Sequence, residues 1–221
     1  MVQWHGRLMV LAWVILLPLG VLIARFFKIT PHQSWPASLD NKFWWHCHRL
    51  LQYSGVALMT VAAVLAIRHA SLASSPAPLH GVIGFMVIGL GWLQILGGWL
   101  RGSKGGPKGG PGGSDTADVR GDHYDMTPRR VAFEYVHKSL GWVALALTIP
   151  ATGLGLWITD APRWMPLTLA IWWALLIAAF AQLQRQGRCF DTYQAIWGPD
   201  PIHPGNRRKP IGWGVRRVEA E

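Results

Sequence analysis

Charge is scarce in this 221-residue chain. Asp, Glu, Lys and Arg together make up 14% of it, where a soluble domain carries about 25%. Cysteine is almost missing, with Cys47 and Cys189 alone. Neither a Cys-x-x-Cys pair nor a zinc-type spacing is present, so thiolate metal sites and thiol redox motifs are excluded. No stretch outside the apolar runs is long enough to build a soluble catalytic domain. The first apolar run also lacks the marks of a removable leader: it starts at residue 4 without a basic n-region, runs too long, and offers no clean small-residue cleavage site.

Hydrophobic residues supply 51% of the chain and cluster in five blocks, roughly 4–27, 43–67, 79–100, 131–158 and 164–184. Each has about the 20 residues a helix needs to cross a bilayer. The expected fold is an all-α membrane protein with five transmembrane helices, four forming a core over residues 4–158 and the fifth peripheral. Trp4, Trp35, Trp44, Trp45, Trp99 and Trp164 fall near block ends, where aromatic belts sit. The net charge of +10 is not spread evenly: 18 of 21 basic residues fall on the side opposite the N-terminus. That asymmetry predicts a multi-pass protein of a plasma membrane or bacterial inner membrane, N-terminus outside and C-terminus cytoplasmic. It accounts for the basic balance without nucleic acid. Both cysteines fall on the cytoplasmic side, where a disulfide is not expected.

Residues 1–184 read as one transmembrane domain and 185–221 as a basic cytoplasmic tail. The glycine-rich stretch 102–113 predicts a flexible loop. Thr127 followed by Pro128 reads as an N-cap and first-turn proline opening the fourth helix. In the tail, Phe190, Tyr193, Ile196 and Trp197 recur at helical spacing, which predicts a short amphipathic helix on the cytoplasmic interface. Beyond Pro199 an irregular tail is expected.

Four histidines, His5, His48, His80 and His137, stand at the N-terminal ends of four consecutive apolar blocks. An ionisable group at such a depth is costly and functional by default. Blocks one and three run in one direction, two and four in the other. His5 and His80 therefore lie near one face, His48 and His137 near the opposite face. In an up-down bundle each pair faces inward diagonally, where bundles bind cofactors. The reading is two bis-histidine centres, with haem b as cofactor, two per chain. Gly84 and Gly141 follow His80 and His137 by four residues, on the same helix face, and open room for a flat macrocycle. His46 is the alternative ligand on block two. It lies about 200° around the helix from His48, so only one of them faces the axis. Arg68 and His69 end block two on the outer side as a docking pair. His32 and His203 read as solvated, and His123 sits in the loop before the fourth helix.

Several runs resemble the cytochrome b561 family, particularly the branch fused to an extracellular DOMON domain. His5-Gly6-Arg7-Leu8-Met9 with Leu16–Arg25 is similar to its first core helix, and His48 with Gln52 to its second. Leu79–Gly84 is similar to the third, and Asp122-His123-Tyr124 leading to His137–Trp142 to the fourth. The likeness covers about residues 4–158. It implies a transmembrane oxidoreductase passing electrons through two b haems, from a cytoplasmic reductant such as ascorbate to an outer acceptor such as a ferric chelate or organic radical. It also implies an anionic donor held near Arg25, with Lys28 beside it. The sequence departs from the pattern by lacking a DOMON domain, by the insert at 102–113, and by a fifth helix with a basic tail. Expected partners are membrane lipid and a small-molecule or protein donor and acceptor, with homodimerisation open. Two other readings stand beside this one: a haem b subunit of a larger complex exchanging electrons with quinone, and a haem-free transporter or anchor.

Overall fold

The computed structural model describes residues 2–73, 78–107 and 119–219. Five of its helices are long and apolar enough to cross a membrane, and no strand forms among the described residues beyond a single bridge, Phe190 to Arg216. The protein is an all-α membrane protein. Helix α1 runs as one rod through Val2–Met9, Val10–Leu16 and Leu17–Phe26, the middle piece wound as a π-helix. Helices α2 (Phe43–Ala73), α3 (Pro78–Trp99), α4 (Pro128–Ile158) and α5 (Trp164–Arg185) follow. Thr127 caps α4 by accepting from the Arg130 amide, with Pro128 in the first turn, as the sequence leads one to expect.

Helix α1 packs along α2, α3 along α4, α2 meets α3, and the middle of α1 meets α4. Helices α1 and α3 therefore lie diagonally, as do α2 and α4. Midway along the bundle Ala12, Trp13, Leu17, Val56, Met59, Val87, Ile95 and Ala144 form a buried core. The opposite faces carry exposed Val82, Phe85, Ile171 and Ile177, the surface a helix turns to lipid. Helix α5 buries none of its residues and is peripheral. One of its contacts has a cause in the sequence: Pro18 has no N–H, so the Val14 carbonyl lacks its usual donor one turn on. Trp172 Nε1 on α5 donates to that oxygen at 2.8 Å.

The tail differs from expectation. Helix α6 (Thr192–Trp197) exists, and its aromatic residues pack against protein rather than standing free. Tyr193 and Trp197 are buried with Tyr124, Met126 and Ile211 in a second apolar cluster. Loop and tail together make a packed cap at the end of the bundle. Tyr193 Oη donates to the Tyr124 carbonyl at 2.8 Å. Arg217 Nε meets Asp191 at 2.6 Å, and its Nη2 meets the Gly205 carbonyl at 3.1 Å, so residues beyond Pro199 are tied down. His203, expected to be solvated, shares a hydrogen bond of 3.1 Å with Tyr124 Oη. The described part of the glycine-rich loop, 102–107, is packed as well. A Cβ on Gly106 would fall 2.2 Å from the Trp197 ring, and one on Gly105 2.5 Å from Gly121. Here glycine permits close approach rather than looseness. The remainder of that stretch lies outside the described residues.

Candidate functional site

The four histidines meet in two pairs at opposite ends of the bundle. At the end called A, His5 of α1 and His80 of α3 stand with ring centroids 6.1 Å apart and planes at 88°. At end B, His48 of α2 and His137 of α4 stand 6.4 Å apart at 75°. His46 is exposed on α2, away from either pair.

Three of the four rings are held by a backbone carbonyl. His5 Nδ1 donates to Ala62 O at 2.9 Å, His48 Nδ1 to Gly20 O at 3.0 Å, and His80 Nδ1 to Ala151 O at 3.0 Å. A carbonyl only accepts, so Nδ1 carries the proton in each ring and the lone pair resides on Nε2. Such a partner fixes the tautomer and raises ligand basicity. The anchors are also reciprocal. Ala62 lies fourteen residues beyond His48 on α2, Ala151 fourteen beyond His137 on α4, and Gly20 fifteen beyond His5 on α1. Each of the helices α1 to α4 thus carries a histidine at one end and, where seen, an anchor for the other, about 20 Å apart at 1.5 Å per residue. His137 breaks the pattern: its Nδ1 is buried without a partner.

This donor set can be tested against a metal. No three His, Cys, Asp or Glu side chains converge among the described residues, so each pair offers two protein ligands only. Rings at these separations leave space for one ion bonded to both imidazoles at about 2 Å, with its other positions filled by a planar macrocycle. The glycines agree. Nothing lies within 4 Å of a Cβ placed on Gly84, and only Gln94 Oε1, at 3.9 Å, approaches one on Gly141. Gly155, which the sequence reading passed over, lets α4 close on His80: a Cβ there would sit 3.1 Å from the ring. The residues fit haem.

At end B a cavity of about 420 Å³ holds His48, His137 and Gly141, with Trp13, Leu17 and Val56 on its inner wall and Arg49, Arg101 and Lys138 among its outer lining. Glu134, also in this wall, was not anticipated. It is buried, accepts from Arg130 Nε at 3.0 Å and from Lys138 Nζ at 2.7 Å, and lies 4.0 Å from His123 Nε2. The signal was available as Arg130, Glu134 and Lys138 at four-residue steps on one face. His123 is 3% exposed and accepts from Trp197 Nε1 at 3.3 Å. Burial, then the Arg130 charge, presses its pKa down to about 3.

The expected docking residues divide. Arg25 and Lys28 line the end-B cavity, but both are engaged. Arg25 Nη2 donates to Gln184 Oε1 at 2.9 Å and Trp213 O at 2.8 Å, with its guanidinium over the Trp213 ring. Lys28 is buried and donates to the Arg25 and Phe190 carbonyls, each at 3.1 Å; desolvation lowers its pKa to about 8. Arg68 and His69 are exposed near the end-A terminus of α2.

No protein-family model and no solved structure matches the chain. Curated relatives do. Human ferric-chelate reductase 1 is 31% identical over 152 residues, 69% of this chain and 22% of that protein. A cytochrome b561, DM13 and DOMON domain-containing protein of Arabidopsis thaliana is 27% identical over 190 residues, 83% of this chain and 18% of that protein. A cytochrome b561 and DOMON domain-containing protein of the same plant is 26% identical over 151 residues, 66% and 26% of the two chains. The chain spans about a fifth to a quarter of the length of these relatives. Taken with a membrane bundle that turns one pair of histidines inward at each end, these likenesses establish that the chain belongs to the cytochrome b561 family.

Proposed function

We propose that this chain carries electrons across a membrane through two b haems, one ligated by His5 and His80 and the other by His48 and His137. The observation that carries this reading is the two facing ring pairs at opposite ends of one bundle, with three rings oriented by carbonyls. When bound, haem supplies one-electron chemistry by cycling its iron between two oxidation states. The chain's own residues do the rest. His5, His48 and His80 are pre-oriented with the lone pair on Nε2, so little ordering remains on binding. Trp13, Val56, Met59, Val87 and Ala144 keep water out of the space between the pairs. Gly84 and Gly141 leave room beside the ligands. Arg49, Arg101 and Lys138 supply positive charge at the end-B cavity, which suits a haem's carboxylates and draws an anionic reductant.

The basic excess at end B supports a cytoplasmic position for that end, and hence flow from a cytoplasmic reductant of ascorbate type outward to end A. The relatives named ferric-chelate reductases support a ferric chelate as the outer acceptor. The test is reconstitution of purified protein in vesicles with ascorbate inside and a ferric chelate outside, preceded by pyridine haemochrome analysis. Two haems per chain and ferrous iron appearing outside are expected. Absence of haem, or one haem per chain, overturns the two-centre reading.

A further inference from the structure

The reciprocal anchoring has a gap, and the gap has an occupant. Ligand and anchor alternate between α1 and α2, and again between α3 and α4. By that pattern the anchor for His137 belongs on α3, fourteen or fifteen residues beyond His80, at Gln94 or Ile95. No bond to a carbonyl forms there, and His137 Nδ1 is left buried and unpartnered. At the same level the side-chain nitrogen of Gln94 is also buried without a partner. Both residues line a second cavity between α3 and α4, whose other walls include Leu93, Gly97, Phe133 and Leu140. Among the described residues of that lining, Gln94 is the only side chain besides His137 with a hydrogen-bonding group. Its Oε1 lies 3.9 Å from where a Cβ on Gly141 would stand, one turn beyond His137. The amide therefore already reaches the face of α4 that carries the ring.

We infer that Gln94 is the positioning residue for His137, its amide oxygen accepting from Nδ1 when Nε2 ligates the iron. This rests on the haem reading above. With Nε2 committed to metal, Nδ1 must be a donor, and a donor buried in an apolar cleft needs an acceptor. An amide oxygen and nitrogen exchange places by a half-turn of the side chain, so a rotation exchanges which of the two, donor or acceptor, faces a neighbour. Three rings then hang on backbone that no substitution removes, and the fourth on a side chain that can be replaced.

The experiment is a redox titration of purified haem-loaded protein, with the optical and paramagnetic spectra of the two low-spin centres followed separately. Gln94→Glu should lower the midpoint potential of the His48/His137 centre alone, because a carboxylate makes the imidazole a more basic ligand and favours ferric iron. Gln94→Met, of similar volume, should raise that potential and weaken retention of that haem about ten- to hundredfold. The His5/His80 centre should be unmoved in both variants. Unchanged potentials in both variants, or equal movement of both centres, would overturn the assignment. Wild-type protein without haem would instead overturn the reading on which it rests, so the two failures are distinguishable.

Discussion

The two ends of this bundle are built on one plan and finished differently. At end A both rings are held by carbonyls, and the neighbouring polar residues, Arg68 and His69, are exposed. At end B one ring is held and one is not; an ion network around Glu134 lies beside the pair, and a cap of loop and tail closes over it. The difference teaches that the geometry of two histidine pairs can be kept alike while access and electrostatics are set independently. End A leaves Arg68 and His69 exposed. End B is a chamber with a mainly positive lining.

The largest effect that bears on this contrast comes from the ligands. His48→Ala or His137→Ala should leave one haem per chain, and His5→Ala or His80→Ala should leave the other. Haem stoichiometry with spectra of the remaining centre checks this; if His5→Ala and His48→Ala abolish the same centre, the pairing is wrong. Next is Glu134→Gln, which leaves Arg130 and Lys138 without their carboxylate. Breaking a buried pair from one side costs about 3–5 kcal/mol, and Lys138, about a third exposed, places this near the lower end. Thermal loss of the end-B haem should come earlier, with end A unchanged; equal loss at both ends would deny that the network serves end B alone.

A subtler effect is pH dependence confined to the cap. Unfolded His123 takes a proton below about 6.5, whereas the folded ring resists until about 3. Between those values the unfolded cap binds more protons, so its stability falls as pH falls. Cys189, 1% exposed beneath the cap, reports the opening. Its alkylation in a Cys47→Ser background should accelerate from pH 6.5 downward once corrected for thiolate content, and His123→Phe should flatten the dependence. The smallest effect is on anionic donors. Arg25→Glu should slow reduction by ascorbate at low salt by a few-fold, with the difference shrinking as ionic strength rises. Arg68→Glu, at the other end, should leave that rate alone.

Much of this architecture was legible because its signals are long or repeated. Five apolar runs of spanning length specify five helices, and alternation of direction puts His5 beside His80 and His48 beside His137. The cap was not legible, because Tyr124 and Trp197 are far apart in sequence and neither segment is apolar enough to announce a core. Gly105 and Gly106 misled in a specific way: the same residue serves flexible linkers and tight contacts, and only the partner, Gly121 or Trp197, distinguishes them. The anchors at Ala62, Ala151 and Gly20 are backbone oxygens, which no pattern of side chains reveals. Glu134 could have been read from the charges around it. Its burial could not, since that depends on the cap.

The π-helical stretch Val10–Leu16 bears on how α1 keeps time with its neighbours. A turn closed from residue i to i+5 stores one residue more than an α turn. That stretch lies between His5 and Gly20, the one observed histidine-to-anchor interval of fifteen rather than fourteen residues. The surplus residue is thus absorbed as a wider coil, and α1 presents its histidine and its carbonyl in the same phase as α2 and α4 do. Helix α1 carries slack where the others carry none. Deleting one residue there, such as exposed Leu11, should tighten the coil to an ordinary α-helix with both haems retained. The same deletion between His48 and Ala62, where no slack exists, turns the two ends out of step by about 100°.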